Sequence, residues 1–280
     1  MIARWIVCLM TIVLACQAQA ENRSPLNHAA NLDRPAISII IDDMGERYAL
    51  GLHAVKMPAR LTYSFLPHSP YARRLATLAH ELDKEVMLHI PMETQDRRYL
   101  GRGGLRPGMS QRDFIISILN GLGSVPYVRG INNHMGSLLT QDPTAMGWLM
   151  EEIARQDNLY FVDSRTTRYT VAHQVANEYQ VPGFSRNVFL DHVLEPRAIA
   201  REFRRLLTIA RKEGVALAIG HPHPETLAFL DSALPLLEER GIMLLPVSAL
   251  IERAELLKSR QITPLLARRS LASREAKTEN

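Results

Sequence analysis

The chain alternates short, nearly continuous apolar runs with longer stretches in which apolar residues recur every three or four positions. The run "AISIIIDD" (36–43) is β-branched almost throughout, the pattern of a strand buried on both faces of a parallel sheet. "ARLTYSFLP" (59–67), "KEVMLHIP" (84–91), "YVRGINNH" (127–134), "LYFVDS" (159–164), "NVFLDH" (187–192), "VALAIGH" (215–221) and "IMLLPV" (242–247) read as further strands. Between them lie helical stripes: Leu75, Leu78, Ala79 and Leu82; Met146, Leu149, Met150 and Ile153; Ile199, Phe203, Leu206, Leu207 and Ala210; Leu227, Leu230, Leu234 and Leu237. Strand–helix alternation repeated this often means parallel βαβ units. The expected fold class is α/β, a distorted (β/α) barrel of about seven parallel strands over residues 36–251. The polar segment 21–35, with Pro25 and Pro35, reads as a linker, and 252–280 as the end of a C-terminal helix followed by a flexible tail.

The first twenty residues, "MIARWIVCLMTIVLACQAQA", break this rhythm with one Arg, an apolar run and then Ala18-Gln19-Ala20. That is the layout of a cleavable signal peptide with a small-x-small site, so the expected location is the periplasm or the medium. Lipoprotein processing at Cys16 and a retained N-terminal anchor are the alternatives. No other stretch approaches the ~20 apolar residues of a membrane span. Both cysteines of the chain, Cys8 and Cys16, lie in this segment. A chain cleaved after Ala20 therefore has no disulfide and no thiolate nucleophile, which suits a bacterial periplasm. At 280 residues the chain can bury a full core, and its net charge of +4 is mild. Arg97, Arg98 and Arg102 cluster in a Gly-rich loop and Arg204 and Arg205 lie on a helix, but these read as solvated surface. A nucleic-acid binder usually shows a denser basic stripe.

The polar residues within the strand pattern fall in one place. The first strand ends in Asp42-Asp43, the third in His89 and the fourth in His134. The later ones end in Asp163-Ser164, Asp191-His192 and His221, with His223 two residues on. In parallel α/β folds the carboxyl ends of the strands form the rim at which ligands bind and catalytic residues sit. Imidazoles and carboxylates gathered there suit zinc or a similar divalent ion, with three protein ligands and an open position for water. No HExxH, GxGxxG, P-loop or GxSxG pattern occurs, which removes support for zincin, dinucleotide-binding, nucleotide-hydrolase and serine-hydrolase readings. Adjacent strand residues face opposite sides, so Asp42 and Asp43 need the turn at Met44-Gly45 to enter one site. One of them would then be neutralised by metal and the other left as a base; the alternative is that Asp43 caps the helix beginning near Glu46.

The motifs "IIIDDMG", "LHIPME", "GINNHMGS", "FVDSRT" and "AIGHPHPET", in this order and spacing, resemble those of the divergent polysaccharide deacetylases, an outlying branch of the carbohydrate esterase family 4 hydrolases. The resemblance covers about residues 36 to 251. It implies a zinc-dependent deacetylase ancestry, with Asp42 as the base that activates water, Asp43 and His89 as metal ligands and His221 as the acid on the leaving group. Where ordinary members carry a second motif histidine four positions after the first, this chain has Glu93. The third ligand is then His134 or Glu93, and His134 is preferred because its strand end should lie beside that of His89. Asp163 is expected to orient a ligand or catalytic histidine, or else to cap the helix after "DSRTT".

The function so implied is removal of acetyl groups from a cell-envelope carbohydrate, with an acetylated polysaccharide or peptidoglycan fragment as substrate. The metal and nearby backbone N–H groups would stabilise the oxyanion. The competing expectation is a carbohydrate- or protein-binding envelope protein on the same barrel with little or no turnover. It rests on the missing histidine and on the scarcity of aromatics: Trp148 reads as core, and Tyr99 is one candidate stacking platform.

Overall fold

The computed structural model describes residues 32–260; the expected signal segment, most of the linker and the tail beyond 260 lie outside them. Its strands are β1 (Ala36–Met44), β2 (Thr62–Phe65), β3 (Glu85–Met92), β4 (Val128–Met135), β5 (Tyr160–Asp163), β6 (Gly183–Ser185), β7 (Val188–Phe189), β8 (Val215–Gly220) and β9 (Met243–Leu244). The connecting helices are α1 (Tyr48–Lys56), α2 (Ala72–Glu81), α3 (Gln111–Ser124), α4 (Pro143–Arg155), α5 (Ala172–Glu178), α6 (Pro196–Glu213) and α7 (Pro224–Ala233), with a further helix, α8, over 247–260. Among the described residues no helix is long and apolar enough to cross a membrane.

All strand pairs are parallel, in the order β6-β5-β4-β3-β2-β1-β8-β7, and β9 pairs with the start of β1. The fold is therefore the expected (β/α) barrel, with eight strands on the main ladder instead of about seven. Its seam is the segment 183–189. The first part of this segment pairs with β5 as β6, the last part pairs with β8 as β7, and Arg186 and Asn187 carry the chain across the gap. Along the seam, Arg186 N donates to Asp163 O and Asn187 N to Leu217 O. The expected strand 187–192 is thus shorter than its apolar pattern suggests, and β6 precedes it. The expected strand 242–247 keeps only β9, because Val247 already opens α8.

The period-2 alternation of each strand sorts its residues between two cores. Ile37, Ile39 and Ile41 of β1, Leu88 and Ile90 of β3, and Ala216 and Ala218 of β8 pack outward against the helices. Ala36, Ile40, Met87, Tyr160, Val162, Leu217 and Ile219 face the interior. There they meet Val247, Leu250, Ile251 and Ala254 of α8, which fills the floor of the barrel. The floor is fixed by hydrogen bonds as well as by apolar contact. Val247 N donates to Thr62 Oγ1, and Ser248 N to Glu85 Oε1, so side chains from β2 and β3 satisfy the first orphan amides of α8. With the floor filled by apolar groups, the polar residues of the inward-facing set are left at the opposite, carboxyl-terminal end.

Candidate active site

The inward-facing parity of β1 runs Ala36, Ser38, Ile40, Asp42, which brings the Asp42 carboxylate into the barrel mouth, where it is buried. Asp43 would face outward on a regular strand. Its φ of 54° is left-handed, and the β1–β2 register shifts between Ile41 and Met44. That local bulge turns the second carboxylate into the same site. Gly45 follows at φ 109°, and a Cβ there would lie 2.0 Å from Ser69 Oγ, so the close return of the chain toward α2 requires glycine. The expectation that a turn lets both aspartates share one site holds, with the turn centred on Asp43 itself. The alternative role for Asp43, capping α1, does not: the residue preceding α1 is Arg47, with no side-chain cap.

His89 and His134 lie on the inward parity of β3 and β4, adjacent strands in register with Pro91 opposite His134. Asp43 Oδ1 is 2.8 Å from His134 Nδ1 and 3.3 Å from His89 Nε2, and the two nitrogens are 3.2 Å apart. Bonds of ~2.0–2.1 Å from a tetrahedral ion to N and O ligands place neighbouring donor atoms about 3.3–3.4 Å apart. The observed triangle is close to that. Asp43 Oδ1 is buried yet makes no hydrogen bond of acceptable angle, despite the nearness of both imidazoles. Three converging lone-pair atoms with an orphaned carboxylate oxygen fit a divalent cation. Asp43, His89 and His134 are the residues that would hold it. Glu93 is elsewhere: its carboxylate lies 3.5 Å from Arg106 Nε and accepts from Thr94 N.

Asn132, on the same inward face of β4 and fully buried, ties this triad to Asp42. Its Nδ2 donates to both oxygens of Asp42, at 2.9 and 3.1 Å, which fixes the amide orientation because a carboxylate needs a donor. Its Oδ1 must then accept from Ser64 Oγ at 2.6 Å and from His89 Nδ1 at 2.8 Å. His89 therefore carries its proton on Nδ1 and offers the Nε2 lone pair to the site. Burial pushes the Asp42 carboxyl above its ordinary value, against the opposing pull of His89, His221 and Asn132. Burial acts in the same sense on Asp43, but there the His134 and His89 imidazoles outweigh it and hold the carboxyl well below its usual range.

His221 follows β8, the strand paired with β1, and brings Nε2 to 3.9 Å from Asp43 Oδ2. Its Nδ1 donates to Asp191 Oδ1 at 3.0 Å, while Asp191 Oδ2 accepts from His221 N and Thr226 Oγ1. Burial alone would lower the imidazole's pKa; the Asp191 carboxylate more than offsets it, and the value is pushed up to about 9. The cleft between these walls has a volume of about 520 Å³, and its lining includes Asp42, His89, His134, Ser164, Arg165, Arg186 and His221.

Asp163 is not brought into this group. On β5, Tyr160 and Val162 face inward and Phe161 outward, so Asp163 falls on the outward parity, while Ser164 just beyond the strand lines the cleft. Its carboxylate accepts from Arg165 N at 2.8 Å and Thr170 Oγ1 at 3.0 Å, shaping the turn after β5 rather than orienting a histidine. The carboxylate that orients the catalytic-side imidazole is Asp191, which the sequence placed at a strand end without a role. Asn132 had the stronger signal: it lies two residues before His134, hence on the same face. Trp148 stacks edge-to-face on Phe114 at 5.6 Å, as expected of core, and Tyr99 is 84% exposed.

The chain is similar to several known proteins. An uncharacterized protein of Escherichia coli, YibQ, is 39% identical over 195 residues, covering 70% of this chain and 61% of its own length, so the chain spans about three fifths of that relative. The crystal structure of an uncharacterized protein, ATU2773, from Agrobacterium tumefaciens superposes with a TM-score of 0.75 at 22% identity, over 78% of this chain and 89% of the other. Peptidoglycan deacetylase PdaC from Bacillus subtilis shares the fold more distantly, with a TM-score of 0.51 at 12% identity over 85% and 98% of the two chains. The model of one family, described as divergent polysaccharide deacetylase, matches residues 39–251, from the middle of β1 into α8, and so takes in every strand that contributes to the mouth. With that match spanning most of its length, this chain belongs to the divergent polysaccharide deacetylases.

Proposed function

We propose that the protein is a metal-dependent hydrolase that removes acetyl groups from a cell-envelope carbohydrate, acting outside the cytoplasm after export directed by residues 1–20. The observation that carries this reading is that Asp42 and His221 both border the Asp43–His89–His134 triangle, Asp42 Oδ2 at 3.5 Å from His89 Nε2 and His221 Nε2 at 3.9 Å from Asp43 Oδ2. Asp43, His89 and His134 would hold a divalent ion such as zinc, which would supply Lewis acidity toward an acetyl carbonyl and lower the pKa of water toward ~7. Asp42, raised by burial and held by Asn132, takes the proton from water as its oxygen attacks the carbonyl carbon. His221 donates its Nδ1–H to the Asp191 carboxylate, which leaves Nε2–H directed to the cleft. It protonates the departing amine or alkoxide as the C–N or C–O bond breaks, and acetate leaves. Membership of the family supports a carbohydrate substrate, and PdaC, on a related barrel, is a peptidoglycan deacetylase.

The test is elemental analysis of the purified protein combined with acetate release from acetylated chito-oligosaccharides, xylan fragments and peptidoglycan fragments. About one divalent ion per chain with acetate released from at least one substrate supports the reading. Bound metal with no acetate from any of them favours a binding protein on the same barrel.

A further inference from the structure

A second cavity, of about 230 Å³, adjoins the cleft and shares Arg186, Phe189 and His192 with it as a common wall. Its far side is made by Arg201 and Arg205 on one face of α6, with Glu202 between them. Glu202 lies 3.5 Å from Arg201 and 3.3 Å from Arg205, so one carboxylate is shared by two guanidiniums. The third, Arg186, has no carboxylate within ion-pair distance among the described residues. Arg186 is half-buried. Its Nε and Nη2 donate to the carbonyls of Ser164 and Arg165 across the barrel seam, and its guanidinium lies 5.1 Å from the Phe189 ring centroid. A guanidinium fixed in this way has its orientation set before any ligand arrives. Next to Arg186 in the cleft lining, the exposed Arg165 side chain likewise has no carboxylate within ion-pair distance among the described residues. Asp42 and Asp163 attract Arg186 from beyond ion-pair distance, so among the described residues Glu202 is the one carboxylate at contact range of these arginines, and a neutral acetylated sugar would add no anionic contact for them.

We propose, building on the deacetylase reading above, that this cavity is a subsite for an anionic group on the substrate. The acetyl-bearing glycan would place a carboxylate or phosphate between Arg186, Arg201 and Arg205 while its acetyl group sits beside Asp42. Guanidinium groups pair with either oxyanion by parallel N–H···O bonds, so the shared chemistry is a planar or tetrahedral oxyanion next to an acetylated residue. The two sources differ in where the charge sits: a carboxylate on the sugar itself, or a phosphate linking sugars.

The experiment measures acetate release by the full-length, metal-loaded protein from three acetylated oligosaccharides matched in length. One is neutral, one carries a carboxylate on the neighbouring sugar, and one carries a phosphodiester. One anionic substrate should exceed the neutral one in kcat/KM by about tenfold, or about 1.4 kcal/mol, and which one it is identifies the source. The advantage should shrink between low salt and high salt, because the pocket is partly open to solvent. In Arg201→Gln and Arg205→Gln the ratio of anionic to neutral kcat/KM should collapse toward one, whereas Arg204→Gln, on the same helix but outside the cavity, should keep it. Equal or lower rates for both anionic substrates overturn the inference and leave the deacetylase reading intact. If no substrate releases acetate, the deacetylase reading fails and calorimetric binding of the same three oligosaccharides decides the subsite. Tighter binding of an anionic one that Arg201→Gln removes upholds it, and equal binding overturns it.

Discussion

Replacing Asn132 with leucine tests whether the metal triangle and the base are one connected unit. The substitution keeps the side-chain volume roughly constant but removes both ends of the amide. It strands the His89 Nδ1–H, whose acceptor at 2.8 Å is gone, and takes from the buried Asp42 carboxylate the donor that reaches both its oxygens. The Ser64 hydroxyl can rotate away, so two groups remain unsatisfied. At about 1–3 kcal/mol each, the metal-free protein should lose about 2–6 kcal/mol of stability. Loss of the partner that fixes His89's proton on Nδ1 should also weaken metal binding by about 10–100-fold. The companion variant Asn132→Asp separates the two effects. It still accepts from His89, but sets a second carboxylate against Asp42, raising that group's pKa further by like-charge repulsion. Because a base works only when deprotonated, the acid limb of the pH–rate profile should move to higher pH, while Asn132→Asp retains metal better than Asn132→Leu. The assays are thermal unfolding of the metal-free proteins, metal titration against a chelator, and kcat/KM as a function of pH. Metal affinity and rate within about twofold of wild type in Asn132→Leu would refute the connection, since the lost partner alone should cost at least tenfold.

Asp191→Asn should lower the pKa of His221 from about 9 and so move the alkaline limb of the pH–rate profile to lower pH, since the acid is lost as pH rises through that value; an unmoved limb would remove His221 from the role of acid. His134→Ala should abolish most metal binding with little change in apo unfolding, whereas Glu93→Gln should leave metal stoichiometry unchanged, as read by elemental analysis; the reverse pattern would make Glu93 the ligand. Gly130→Ala should destabilise by about 1–3 kcal/mol by calorimetry, because its Cβ would meet the Tyr160 ring at 2.3 Å inside the barrel, and an unchanged Tm would show that the ring can move aside.

Much of this arrangement was legible in the amino-acid pattern because strand parity is a simple rule. The β-branched run 36–41 announces β1, and the polar residues at the strand ends mark the mouth. The same rule, carried one step further, separates Ser164 from Asp163 and pairs Asn132 with His134. What it does not carry is the left-handed turn at Asp43, since φ at a non-glycine residue depends on what surrounds it. The role of Asp191 depends on a loop beyond β7 folding back onto the backbone amide of His221, a contact across 30 residues that no local pattern encodes. The seam at 183–189 was hidden for a related reason: two very short strands separated by two residues look like one broken strand.

The most direct test is an anomalous diffraction measurement at the zinc edge on crystals of the zinc-loaded protein. A single strong peak is predicted inside the triangle of Asp43 Oδ1, His89 Nε2 and His134 Nδ1, at about 2.0–2.2 Å from each, with Asp42 free of the ion and hydrogen-bonded to Asn132. The described residues contain one other group able to hold a metal, Asp191, His221 and His223. A peak there, or none inside the triangle, would contradict the assignment of ligands, base and acid together.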